Sequence, residues 1–308
     1  MKVLRLARPW LGLLAVGLAF GVAPAEAMQE LEPGAFAPAP TGLNIAVVTN
    51  TVSLGDLAFD PVGPISEANA TMNFTILGYA RTVPLAGRFA SVSGGVPIVF
   101  GHLEGRYLGE PAEATRFGQG DVRARFAINV YGVPAMNVRS FAAARVRRAV
   151  GASLTVSMPL GQYSSDRLVN IGNHRWAFKP ELGFVNMFGR WTFEVAGGAW
   201  LFTQNDEFYR GSVRSQDPIG SFQWHLHYAL GPRTLVSGNM NFYVGGKTTV
   251  NGQLNEDLQR NARVGATLSR SFAGARTLRI AASHGAVTTI GGAFTSLSVA
   301  FQQVWGGG

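Results

Sequence analysis

The chain contains no cysteine. A disulfide framework is excluded, so an exported protein of this composition needs another source of stability. Charge is scarce too. Asp, Glu, Lys and Arg make up 14% of the 308 residues, against about 25% in an average soluble domain. So few charges cannot cover a water-exposed surface. Long apolar runs are also missing. Beyond residue 41 nothing approaches the ~20 apolar residues of a membrane-spanning helix. The basic residues are scattered, with only Arg145, Arg147 and Arg148 clustered, and they match no nucleic-acid motif. No nucleic-acid partner is expected.

The formal charge is +8; Lys2, Arg5 and Arg8 against Glu26 account for +2 of it, leaving +6 after residue 27. A basic lumen, or attraction to anionic lipid head groups, accommodates that excess. The first residues read as an address. Lys2, Arg5 and Arg8 precede an apolar run from Trp10 to Val22, and Ala25-Glu26-Ala27 offers small residues at a cleavage site. This is the pattern of a cleaved signal peptide over residues 1–27. Residues 28–41, with Pro33, Pro38 and Pro40, read as an extended periplasmic lead-in.

The remaining chain has period two, the strand signal. Val122, Ala124, Phe126, Ile128 and Val130 alternate with Arg123, Arg125, Ala127 and Asn129. Phe222, Trp224, Leu226 and Tyr228 alternate with Gln223, His225, His227 and Ala229. Twelve such segments are predicted: 42–50, 70–80, 87–100, 120–131, 149–159, 175–188, 191–204, 218–230, 233–245, 258–270, 276–286 and 294–305. Most exceed the ~5–6 residues of ordinary sheets and suit a tilted membrane strand of ~9–11. Long and short connections alternate, as external loops and periplasmic turns do in outer-membrane barrels. The even count puts both termini in the periplasm. The long link 132–148 breaks the alternation. Its basic stretch Phe141–Arg148 suits either a short helix or an irregular loop.

The expected fold is all-β: a transmembrane antiparallel barrel of about 12 strands, residues 42–305, closed so that no strand edge meets lipid. A soluble sandwich would carry many charges on its wet face. Here the polar faces hold Ser, Asn, Gln and Gly, which suit a narrow lumen. The expected lumen residues are Arg123, Arg125, Lys179, Glu181, Glu194, Gln223, His225, His227, Asn239, Asn241, Arg263 and Arg279. Glu181 and Glu194, flanking the link 189–190, are expected nearly opposite each other. Together with the five cations they are expected to form one charged network that narrows the pore and favours anions. Aromatic residues near strand ends, Tyr79, Phe100, Tyr131, Trp176, Trp191, Trp224, Tyr228, Tyr243 and Trp305, are expected to form interfacial belts.

Several segments resemble one family. They are Leu77-Gly78-Tyr79-Ala80-Arg81, Pro159-Leu160-Gly161-Gln162-Tyr163, Asn173 to Gly183, Gln216-Asp217-Pro218-Ile219 and Gly245 to Gly252. In order and spacing they are similar to the outer-membrane protein family of the phenol meta-degradation pathway, from about Glu30 to Trp305. The resemblance implies a barrel that passes aromatic or other small hydrophobic compounds. It brings no catalytic residues.

Chemistry has little to work with. Gln223, His225 and His227 share a strand face, but a metal site needs three or four ligands, and lumen lining is the reading adopted; no metal or cofactor is expected. Ser283 and His284, the candidates for a lipid-modifying enzyme, are adjacent on a strand and point to opposite faces. The expected function is therefore an outer-membrane channel for small, aromatic or hydrophobic solutes, not an enzyme. The alternatives are a structural or adhesive barrel with a plugged lumen, and a lipid-modifying enzyme. Outer-membrane lipids, the barrel-assembly machinery and a small-molecule solute are the expected partners.

Overall fold

The computed structural model describes residues 31, 33–60, 64–144 and 146–307. The expected signal peptide, residues 1–27, and the start of the lead-in lie outside the described residues. Strand β1 spans Leu43–Ala58, β2 Ile65–Leu85, β3 Arg88–Tyr107, β4 Glu110–Gln119, β5 Val122–Tyr131 and β6 Arg148–Met158. Then come β7 Ala177–Phe188, β8 Trp191–Phe202, β9 Asn205–Phe208, β10 Ser212–Gln216, β11 Ile219–Gly231 and β12 Thr234–Gly245. Short β13 Thr248–Val250 and β14 Gln253–Leu254 precede β15 Gln259–Phe272, β16 Arg276–Val287 and β17 Gly291–Gly306.

The main sheet is antiparallel and closed. Strand β1 pairs with β17 and β2, and β2 pairs with β3, which joins both β4 and β5. The outer half of β3 binds β4 (Ile98 opposite Gln119) and its inner half binds β5 (Ala90 opposite Ile128). These two strands form one stave interrupted at Gly120-Asp121. Counted this way the barrel has twelve staves, matching the segments read from the alternation. Closure satisfies every edge, which lipid demands.

Four adjoining staves are much taller than expected, β1, β2, β3 and the interrupted stave that runs from Glu110 to Tyr131. β2 has 21 residues, β3 has 20 and β1 has 16, while β7, β8 and β12 have 12 each. The segments 51–69 and 101–119, expected as loops, are largely strand. Their outward face lacks an apolar stripe because it rises past the lipid, while Leu57 and Leu103 turn into the interior.

The barrel has a turn end and a loop end. Links of two or three residues close the turn end. In the link after β2, Ala86 and Gly87 both have positive φ (48° and 72°), the left-handed pair that a tight hairpin matching strand twist requires. The long link 132–147 is the exception, as expected. It holds helix α1, Val138–Ala143, whose first turn is capped by the Asn137 side chain accepting from the Ser140 amide at 2.8 Å. The helix lies N-terminal to the expected 141–148, because that cap fixes its start and Arg148 already belongs to β6. At the loop end β9, β10, β13 and β14 form a small second sheet.

Outward side chains are apolar and exposed: Leu77, Leu182, Phe222 and Leu297 are each at least 48% accessible. Around a closed barrel they make the lipid-facing band. At the turn end Tyr79 stands 6.2 Å from Trp305, Trp191 4.6 Å from Tyr228, and Tyr131 is exposed nearby on β5, forming one girdle. Trp176 stacks on Phe178 at the loop end, and Phe100 is exposed on the outer part of β3. Two expected belt residues are elsewhere. Tyr243 is 4% exposed and faces the lumen, on the same side of β12 as Asn239 and Asn241. Trp224 faces outward but sits mid-strand against Phe193, within the apolar band and not at its rim.

Candidate functional site: a plugged lumen beneath an apolar vestibule

Each expected lumen residue has inward parity on its strand. Arg123, Lys179, Glu181, Glu194, Gln223, His225, His227, Asn239, Asn241 and Arg263 are all buried. Arg125 faces the N-terminal segment, and Arg279 lies on β16 opposite Ser269 and Ala300.

The two carboxylates among them are not opposite each other. Glu181 and Glu194 are four register steps apart, since Glu181 lies opposite Gly198 and Glu194 opposite Val185. The two-residue link pairs Phe188 with Trp191, and counting outward from that pair separates the carboxylates. Lys179 Nζ meets Glu181 Oε1 at 2.9 Å, with both side chains 1% exposed. Gln223 donates to the same carboxylate oxygen at 3.4 Å. Above this pair, Trp200 lies between the Arg123 guanidinium at 5.4 Å and the Lys179 ammonium at 5.5 Å. Sequence reading does not name Trp200; its parity with Glu194 on β8 is the signal that marks it as inward. His225 Nδ1 pairs with Asn239 Oδ1 at 3.0 Å, and Asn239 donates to Thr267 at 3.0 Å. Arg263 donates to Ser283 and Ser296. Ser283 therefore faces inward, while its neighbour His284 bonds Thr295 on the exposed face.

Glu194 has a different partner. Its two carboxylate oxygens accept from the backbone amides of Gly34 and Phe36, each at 2.8 Å. His227 Nε2 stands 3.6 Å from the same carboxylate. Arg125 donates to Ala35 O at 3.1 Å and lies 4.9 Å over the Phe36 ring. Residues 33–41, expected in the periplasm, thus run inside the turn-end half of the barrel. Phe36 is 2% exposed, and a β-carbon at Gly151 or Gly183 would come within 2.6 or 2.2 Å of its ring. The segment leaves the lumen near Thr41, whose amide donates to Met136 O at 2.8 Å.

At the loop end a cavity of about 570 Å³ opens above this region. One wall is apolar: Leu57, Met72, Val99, Leu103 and Phe294 face inward from β1, β2, β3 and β17, and Ile171 comes in from the 159–176 loop. The opposite wall is polar, with Arg175, Asn205, Gln216 and Asp257. Asp121 fixes the loop that carries Ile171. Its carboxylate accepts from the Gly161 amide at 3.0 Å and from the Asn173 amide and side chain at 2.9 Å each. Arg116 adds a bond to Val169 O at 2.9 Å. Burial, aided by the nearby Arg167, pushes the Arg116 guanidinium below its ordinary range. Arg175 donates to Gln216 and lies 4.3 Å over Phe202. Sequence reading did not single out this cavity, because its two walls come from opposite sides of the barrel.

The family model described as "Putative MetA-pathway of phenol degradation" matches residues 48–298. The chain belongs to this family. The match runs from within β1 to within β17, so the barrel wall carries the family pattern and the inner segment 33–41 precedes it. Among solved structures, the barrel is similar to the COG4313 outer membrane channel from Pseudomonas putida F1, at a TM-score of 0.74 and 21% identity, covering 89% of this chain and 99% of that one. It is more distantly similar to the β domain of the Bordetella autotransporter BrkA, with a TM-score of 0.48, 10% identity, and coverage of 84% and 98%. The CymD monoaromatic hydrocarbon channel also matches, at a TM-score of 0.41 and 8% identity, with 97% of each chain covered. No curated protein is similar in sequence. Fold and family together place this protein in the outer membrane.

Proposed function

We propose that this protein is an outer-membrane channel for small apolar solutes of single-ring size. The observation that carries this reading is the vestibule, a cavity at the loop end of the barrel with one apolar wall. A water-filled pore has no use for inward Met72, Val99 and Phe294. A solute leaving water gains about 25 cal/mol for each Å² of apolar surface it buries there. Membership of the family supports the reading, as does the likeness to a barrel described as an outer membrane channel.

Below the vestibule the lumen narrows to the Lys179–Glu181 pair and the layer of Arg123 and Trp200. The twelve inward residues named above line this path, and its five cations against two carboxylates give it an anion-favouring interior. Before reaching this wall, residues 1–27 act as a cleaved export signal. The barrel-assembly machinery then inserts the chain, and outer-membrane lipid covers the apolar band.

Uptake of labelled toluene and phenol by cells with intact outer membranes, with and without the protein, tests the reading. Faster uptake with the protein is expected. Equal uptake of both solutes would leave the second reading, a structural barrel closed by its own N-terminal segment. That reading is favoured by the Glu194 contacts alone.

A further inference from the structure

The seat of Phe36 is more specific than closing a hole requires. Its floor is made by Gly151 and Gly183, where any β-carbon would collide with the ring. A buried carboxylate, Glu194, 1% exposed, takes two donors beside it. A guanidinium, Arg125, lies over the ring face. Flat space for a ring, an acceptor for a donor, and a cation above the π face make up a ligand site. We propose that this seat is an inner binding site for a neutral single-ring solute bearing an N–H or O–H donor, and that residues 34–36 occupy it as the chain's own competitor.

The proposal rests on the channel reading and adds to it a site and a solute class. Covalent geometry defines that class. The Phe36 amide nitrogen is joined to its ring through Cα and Cβ, so the seat accepts a ring whose donor stands two carbons away, as in phenethyl alcohol. A bare hydrocarbon fills the floor but leaves Glu194 Oε1 buried without the donor that the Phe36 amide supplies, which is costly. An anionic solute brings like charge to that carboxylate. The segment meets Glu194 by two backbone amides; the solute hydroxyl takes the place of the Phe36 amide at Oε1, while Oε2 keeps His227 at 3.6 Å.

The test uses the full chain, folded in detergent, carrying Gly34→Pro and Phe36→Pro. These substitutions remove both amide donors and the ring, and leave the wall intact. Calorimetric titration is expected to show phenethyl alcohol binding this variant about tenfold or more tighter than ethylbenzene, as sites built around a hydrogen bond discriminate. It also binds the variant tighter than it binds the wild type, where the segment competes. Adding Gly183→Val abolishes the difference. Equal binding of the two solutes, or binding indifferent to Gly183→Val, overturns the proposal. A second measurement needs no emptied seat. With a nitroxide on Ala35→Cys, the chain's single cysteine, phenethyl alcohol is expected to mobilise the label and ethylbenzene to leave it fixed; no difference between them overturns the proposal. If the seat discriminates but cells gain no uptake of any single-ring solute, the channel reading falls while the site stands. If uptake persists and the seat does not discriminate, the seat falls alone.

Discussion

The two sides of this barrel share one backbone pattern and differ in what they point inward. The tall side, β1 to β3 with β17, turns Met72, Phe74, Val99 and Phe294 toward the interior in its outer half. The short side, β7 to β12, turns Lys179, Glu181, Glu194, Gln223, His225 and Asn239 inward. Alternation places side chains on one face or the other. The identity of the inward residue decides whether that face is a wall for an apolar solute or a polar filling.

The comparison breaks hardest on the short side. Lys179→Ala leaves Glu181 buried without its ion-pair partner, and a loss of about 3–5 kcal/mol is expected. The urea midpoint of the heat-sensitive mobility shift on SDS gels reads it, and an unchanged midpoint would refute the pair. Next is the clamp joining the two sides. Asp121→Ala removes the acceptor of three bonds from the 159–176 loop, worth about 1–3 kcal/mol if the donors stay buried. Faster protease cleavage within that loop is the expected result, with the barrel intact. On the tall side, Met72→Asn with Phe294→Asn makes the apolar wall polar. Uptake of toluene is expected to fall about tenfold, the effect of a ~1.4 kcal/mol loss. Equal uptake would remove the vestibule from the path. Replacing Arg123 and Arg125 with Gln reduces the anion preference of any residual conductance in a planar bilayer, and unchanged selectivity would detach these two from the pore. The smallest effect is at the girdle. Trp191→Ala loses one aromatic pair with Tyr228, about 0.5–1.5 kcal/mol, and leaves uptake as it is.

Most of the wall was legible because a half-buried strand writes its two faces in alternate letters. Val122 to Val130 and Phe222 to Tyr228 show this, and their parity carried over into the structure. The tall extensions were not legible, since above the lipid their outward face has no apolar stripe and Leu57 and Leu103 alone mark the inner one. At Tyr243 two signals compete: period two groups it with inward Asn239 and Asn241, while its place near a strand end points to a belt, and the period prevails. The Glu181–Glu194 separation also followed from the two-residue link once it was counted residue by residue. The inner segment was beyond such reading. Residues 33–41 have no period, and their position is fixed by Glu194 and two glycines more than a hundred residues away.

The height of the tall side has a consequence for traffic at the cell surface. A strand of 21 residues, at about 3.3 Å per residue and tilted some 40°, reaches about 50 Å along the membrane normal. The apolar band needs about 25 Å of that. The remainder stands as a parapet above the charged head groups. Across the cavity the small sheet of β9, β10, β13 and β14 supplies the facing wall, so the vestibule is a walled turret whose floor lies clear of the surrounding polar layer.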